Sequence, residues 1–281
     1  GFPHRLVVDL KTSSAENFAK QVAADRTAKR AQIPAPSAPP EILQAPRKPN
    51  RKPVIVVDAG HGGVDPGASG RKALEKQVTL AFSKELARQL RNTSKYDVYL
   101  TRSRDIYIPL RQRVNIARKH QADLFISIHA DAIKRKNVRG MSIYTLSETA
   151  SDKEAEALAR KENRSDIIVG IDFDDQPPEV ADILIDLAQR ETKNLSVKFA
   201  NLVVKNARGT TRLLERTHRF AGFRVLKAPD VPSVLIELGF LTNRSDEKQL
   251  LSAGWQRKIA KSLVKSVNGF FSSSQQARMT Q

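Results

Sequence analysis

Between residues 53 and 271, short apolar runs alternate with stretches of helical periodicity. Val54–Ala59 reads as a buried strand, and Lys76–Arg91 as a helix with Leu80, Leu86, Ala87 and Leu90 on one face. Tyr96–Thr101 is a second strand. Pro109–Lys119 is a helix, with Pro109 suited to its first turn. Further strands are expected at Leu124–His129, Gly140–Leu146, Phe223–Leu226 and Val234–Leu238, and a closing helix at Trp255–Phe271. Strands alternating with helices imply an α/β fold, a twisted and mostly parallel sheet flanked by helices. Residues 147–218 break the alternation with two long helical patterns, near 150–163 and 180–208, and read as an inserted helical segment.

The flanks differ. Residues 4–10 form a strand-like run too isolated to build a core, so 1–12 reads as the remnant of a preceding domain. Proline recurs from Pro34 to Pro53, which marks 13–52 as an extended linker. The polar residues 272–281 are expected to be a disordered tail.

Composition removes several chemistries. There is no cysteine, so disulfides, thiol nucleophiles and Cys-held metals are excluded, and any metal must rest on His, Asp or Glu. The longest aliphatic run is Val54–Val57, against the roughly 20 residues that a membrane helix needs. The net charge is +18, yet residues 148–191 hold thirteen acidic and five basic residues. Opposite potentials within one chain suggest that the acidic segment docks on the basic remainder. A basic module binding an anionic polymer would explain the charge alone, but only 6% of residues are aromatic, too few for nucleic-acid stacking.

Functional groups in open α/β sheets gather beyond the carboxyl ends of strands. Three strands here end on reactive side chains: Asp58 with His61 beyond it, His129 with Asp131, and Glu237. Glu75 opens the helix after the first strand and falls near the same edge. Two histidines and a carboxylate with an open position form a catalytic zinc set, and a further carboxylate can take a proton from water. Each residue also has a plainer role. A strand-end His can be a satisfied polar group, Glu75 can stabilise a helix N-terminus, and Glu237 can pair with an arginine. No HExxH, G-x-S-x-G, P-loop or G-x-G-x-x-G occurs. His120 closes a helix, and His218, among Arg212, Arg216 and Arg219, is expected at the surface.

Six segments carry a resemblance: Val57-Asp-Ala-Gly-His-Gly-Gly63, Glu75-Lys-Gln-Val78, Thr101-Arg102, Leu110-Arg-Gln-Arg-Val-Asn-Ile-Ala117, Ser127-Ile-His-Ala-Asp131 and Pro232–Asn243. With them the chain from about Lys52 to Phe271 resembles the zinc-dependent N-acetylmuramoyl-L-alanine amidases of the cell-separation type. The resemblance implies one zinc ion held by His61, Glu75 and His129, with Glu237 as the catalytic carboxylate. It implies hydrolysis of the amide between N-acetylmuramic acid and L-alanine of the peptidoglycan stem peptide, in the periplasm. It also implies that 1–12 closes an envelope-targeting domain, and that 147–218 is a regulatory insert moved by a LytM-type activator protein. A zinc carboxypeptidase acting on the same peptides would share the metal set. Asp58 or Asp131 is expected either to orient an imidazole or to cap its strand end.

Within the insert, Ser151 as N-cap and Glu154 three residues on suggest a capping box. The stripe Ala155, Leu158, Ala159 then places Glu162 in the middle of the apolar face. A carboxylate there needs a cation. Zinc is such a cation, so Glu162 is expected as a fourth ligand that blocks the water position. Glu191, on the second helical stripe, is the rival for that role, and pairing of Glu162 with Arg111 or Arg113 is the plainer outcome.

Overall fold

The computed structural model describes residues 51–133, 135–166 and 183–279. The expectations for the remnant strand, for most of the linker and for the middle of the insert fall outside these residues. Six strands form one sheet: β1 (Val54–Ala59), β2 (Asp97–Leu100), β3 (Leu124–His129), β4 (Met141–Leu146), β5 (Leu213–Ala221) and β6 (Ser233–Glu237), in the order β2-β1-β3-β6-β4-β5. The first four of that order run parallel, whereas β4 runs antiparallel to β6 and β5 runs parallel to β4. The helices are α1 (Glu75–Asn92), α2 (Leu110–Lys119), α3 (Lys153–Glu162), α4 (Ile183–Ala207), α5 (Arg244–Leu250) and α6 (Ala253–Met279).

Every residue of β1, β3 and β6 is buried, which is why their sequences are mostly apolar, with polar residues chiefly toward the strand ends. Successive side chains alternate between two cores. Ile55, Val57, Ile126 and Ile128 point into the layer of α1, α4 and α6. Val56 and Phe125 point the other way, against α2, α3 and the 222–231 loop. The parallel register pairs His129 with Glu237 and Asp58 with Ser127, so the chemistry-bearing strand ends align along one edge.

The structure corrects the expected elements in four places. Phe223–Leu226 is not a strand, because Arg224–Leu226 is a single 3-10 turn closed by Leu226 N–H to the Phe223 carbonyl at 3.1 Å. A short apolar run buries its side chains equally well either way. The end of the insert, past the helical pattern that stops near 208, was not foreseen as a strand: 213–221 is an edge strand whose mixed charged and apolar residues hide the period of two. α5, capped by the Asn243 side chain on Ser245 and Asp246 N–H, was not foreseen. The closing helix continues past Phe271 to Met279, so the backbone of 272–279 is helical rather than a frayed tail.

A candidate metal centre at the strand ends

His61 lies in the loop leaving β1, at φ +60°, a left-handed conformation unusual for a non-glycine residue. Two buried arginines hold the loop there. Arg102 donates to the carbonyls of Ala59 (2.9 Å) and Gly60 (2.8 Å), and Arg113 to those of Ala59 (2.7 Å) and His61 (2.9 Å). Gly60 is needed for space, since a Cβ there would sit 2.6 Å from the His129 ring. Gly67, at φ +66°, lets the loop pass both His61 and Glu75.

His129 ends β3, and Glu75 is the first residue of α1, where the helix dipole favours a negative charge. Two backbone amides fix the Glu75 carboxylate: Ala68 N–H donates to Oε2 at 2.8 Å and Ala130 N–H to Oε1 at 2.9 Å. From the other side α3 brings Glu162, its last residue, onto the same spot. His61 Nε2 lies 3.1 Å from Glu75 Oε1 and 3.3 Å from Glu162 Oε2, and His129 Nδ1 lies 3.2 Å from each.

These four spacings test whether the residues fit a metal. Zinc–nitrogen and zinc–oxygen bonds of 2.0–2.2 Å give a tetrahedron with edges of about 3.3 Å. Four of the six edges are therefore already at zinc spacing. His61, His129 and Glu162 also stand as a buried group with all ligand atoms within 4.8 Å of one another. His61 Nε2 and Glu162 Oε1 are buried without a hydrogen-bond partner, and so is Glu237 Oε1. Burial pulls the pKa of His129 down, but Glu162 and Glu75 overcome it and take it up to about 10. The site thus demands positive charge between two carboxylates, which a divalent cation supplies. The donor set fits.

Glu237 differs from Glu75 and Glu162, whose carboxyls, despite burial, the two histidines hold below the ordinary value. Burial, together with the nearby charges of Asp131, Glu75 and Glu162, raises its pKa well above the ordinary carboxylate value despite the opposing pull of His129. Asp131 N–H holds Oε2 at 3.0 Å, and Oε1 carries no hydrogen bond.

The orienting carboxylate is neither Asp58 nor Asp131. Asp58 accepts from Thr101 Oγ1 (2.6 Å), Ser127 Oγ (2.6 Å) and Arg113 Nη1 (2.8 Å), and so knits three segments together. Asp131 pairs with Lys161 of α3. His61 Nδ1 instead meets Asp65 Oδ2 at 2.8 Å. The sequence signal for Asp65 was a carboxylate four residues after a histidine in a glycine-rich loop, which has no periodicity to draw attention to it. Arg102 was visible only as part of a motif, and Arg113 as part of a motif and as a possible partner of Glu162.

In the insert, Ala155, Leu158, Ala159 and Glu162 are buried together as the stripe required. The N-cap is Asp152, not Ser151: its side chain accepts from Ala155 N–H at 2.9 Å and is held by Ser151 Oγ and Arg219. Glu191 is exposed on α4 and takes no part in the site. Arg113 is committed to Asp58 and backbone, so it does not neutralise Glu162. His120 caps α2 and stacks on Tyr99. His218 is half-buried on β5, 3.0 Å from Thr145 Oγ1. Cavities of about 450 Å³ open beside Ser196 and Ser233, at the end of β6 remote from Glu237, and along α3 beside Asp152, Ala159 and Gly222.

Comparison with known proteins completes the description. The family model described as N-acetylmuramoyl-L-alanine amidase matches residues 55–269. N-acetylmuramoyl-L-alanine amidase AmiA of Escherichia coli (strain K12) is 41% identical over 227 residues, 80% of this chain and 78% of the relative. AmiC of Escherichia coli O6:H1 is 36% identical over 278 residues, 96% of this chain but 66% of the relative. The catalytic domain of the amidase CwlV from Bacillus (Paenibacillus) polymyxa superposes with a TM-score of 0.56 at 26% identity, covering 78% of this chain and 98% of that one.

Proposed function

Because the chain belongs to the N-acetylmuramoyl-L-alanine amidase family, and so is a hydrolase of peptidoglycan, we propose that its reaction depends on one zinc ion held by His61, Glu75 and His129, with Glu237 as the catalytic carboxylate. The observation that carries this reading is the convergence of two imidazole nitrogens and two carboxylate oxygens at 3.1–3.3 Å. When bound, the ion supplies a Lewis acid that lowers the pKa of water and polarises the scissile carbonyl. The protein's own groups do the rest. Asp65 fixes His61 with its proton on Nδ1, so that Nε2 presents its lone pair to the site. Ala130 N–H and Ala68 N–H fix Glu75. Glu237 Oε1 takes a proton from the attacking water and returns it to the nitrogen of the leaving L-alanyl peptide, a shuttle that a raised carboxylate pKa suits near neutrality.

Glu162 occupies the position that substrate and water need, so the protein is held inactive by α3 until an activator displaces that helix. A LytM-type activator is the partner that the family resemblance suggests, and the periplasm the compartment. No helix among the described residues is long and apolar enough to cross a membrane. The test is direct. Zinc content is measured with and without chelator, beside the products released from purified peptidoglycan. Intact stem peptide with a free L-alanyl amine supports the amidase. A shortened stem supports a carboxypeptidase and overturns this assignment.

A further inference from the structure

Helix α3 presents two charges to the site, not one. Lys161 precedes Glu162, and its ammonium is paired with Asp131, a buried carboxylate beside Glu237. The same ammonium lies 4.0 Å from Glu162 Oε1, the oxygen that has no hydrogen-bond partner. Glu162 Oε2 therefore sits among the candidate ligands, while an ammonium lies 4.0 Å from Oε1 of the same carboxylate and rests on a separate acid.

Amide hydrolysis makes this pair of groups. Water's oxygen ends on the carbonyl carbon as a carboxylate. The carbon–nitrogen bond breaks, and the nitrogen takes up protons to leave as an ammonium. At the moment of separation the two fragments stand one van der Waals contact apart, about 3–4 Å. We propose that Glu162 and Lys161 together imitate the two products of the reaction, and that Asp131 is the residue that binds the amine end of the stem peptide. This inference rests on the amidase reading above.

The chemistry of Asp131 supports the assignment. Its backbone N–H steadies Glu237 Oε2 at 3.0 Å, and its carboxylate charge acts on Glu237, the group that delivers the proton to nitrogen. Its Oδ1 also accepts from Ala132 N–H at 2.6 Å, which fixes the carboxylate with respect to β3. A buried carboxylate among three others is costly unless a cation meets it. With α3 seated that cation is Lys161, and with α3 displaced it is the nascent ammonium, through a charge-assisted hydrogen bond.

The test uses zinc-loaded protein in which Lys161→Ala and Glu162→Ala remove both mimics. Stem peptide from an amidase digest of peptidoglycan is titrated calorimetrically, once with its amino terminus free and once acetylated. The free amine is expected to bind at least tenfold more tightly. Adding Asp131→Asn, which keeps an acceptor for Ala132 N–H, should bring the two within about twofold and leave the acetylated peptide's affinity in place. Equal binding of both peptides, or discrimination that survives Asp131→Asn, overturns the assignment. Independently of that buried substitution, the single change Lys161→Met should raise basal peptidoglycan hydrolysis several-fold, and Lys161→Arg should restore most of the restraint. An unchanged basal rate in Lys161→Met also overturns it. Failure of the double variant to release stem peptide from peptidoglycan removes the amidase reading and this inference together. Release without amine discrimination removes only this one.

Discussion

Two carboxylates face the same pair of imidazoles, Glu75 from the first residue of α1 and Glu162 from the last residue of α3, and they are anchored very differently. Glu75 is gripped by two backbone amides and belongs to a helix packed along the main core. Glu162 leaves one oxygen without a hydrogen bond, and its helix buries only Ala155, Leu158 and Ala159 beside it. Burial of two alanines and one leucine contributes about 3 kcal/mol, an energy that a binding partner of ordinary affinity can exceed. In the autoinhibition proposed above, the strand-end floor is the permanent part and the insert's carboxylate the removable one, although both present the same chemical group at nearly the same distance. Permanence comes from the anchoring, not from the ligand atom.

The largest effect that would separate the two regions is at the floor. Glu237→Ala should lower stem-peptide release by roughly 10²–10⁴-fold while zinc content, read by atomic emission, stays near one per chain. His61→Ala, His129→Ala and Glu75→Ala should lose the metal itself. Loss of zinc in Glu237→Ala equal to that in His61→Ala would falsify the division between ligand and proton carrier.

Glu162→Ala should do the opposite. Basal hydrolysis without activator is expected to rise at least tenfold with zinc retained, and Glu191→Ala, altering an exposed residue outside the site, should leave it where it was. If Glu162→Ala folds, keeps zinc and stays silent, the insert is not the removable half.

Asp65→Asn probes the floor more gently. The amide no longer holds His61 Nδ1 as a charged acceptor, and zinc affinity should fall by about 10–100-fold. Competition with a chromophoric chelator reads this without any turnover. Affinity within twofold of the parent would show that Arg113 and the loop backbone alone orient the imidazole.

The smallest effect lies at the base of α3. Burial raises the pKa of Asp152, but Arg219, the Ala155 amide and Ser151 outweigh it and bring it down to about 2 from 3.8. A depressed folded-state pKa stabilises the protein above the unfolded value and loses that contribution as pH falls through the folded one. Asp152→Ala should therefore lower the thermal midpoint by a few degrees at pH 5–7, in line with the ~1 kcal/mol of a lost cap. The difference should close as pH drops from about 4 toward about 2. In peptidoglycan assays the same variant should show a modest rise in basal rate, smaller than that of Glu162→Ala. A midpoint difference that persists unchanged at low pH points to packing rather than the carboxylate.

Much of the candidate metal centre could be read along the chain because the rules that built it are local. Apolar runs ending in Asp58, His129 and Glu237 mark buried parallel strands, and such strands collect their chemistry at one edge. The stripe of α3 placed Glu162 on a buried face by periodicity alone, and the cost of an unpaired buried carboxylate pointed to a cation. Asp65, Arg102 and Arg113 could not be found this way. Their partners are a ring nitrogen and backbone carbonyls, and those contacts exist only once the loop after β1 has turned through a left-handed His61. The choice of Asp65 over Asp58 as orienting acid was likewise decided in three dimensions. Asp58 points into the layer where Thr101 and Arg113 hold Oδ1 and Ser127 holds Oδ2, and the loop carries Asp65 back to Nδ1. Sequence determined which residues lie at the strand ends and on the buried helix face, since a fixed rise and twist per residue set those positions. Tertiary structure decided which side chains meet, including Lys161 with Asp131 and Glu162 with both histidines. Those distances depend on where one element stops against another, and no periodicity within either element encodes that.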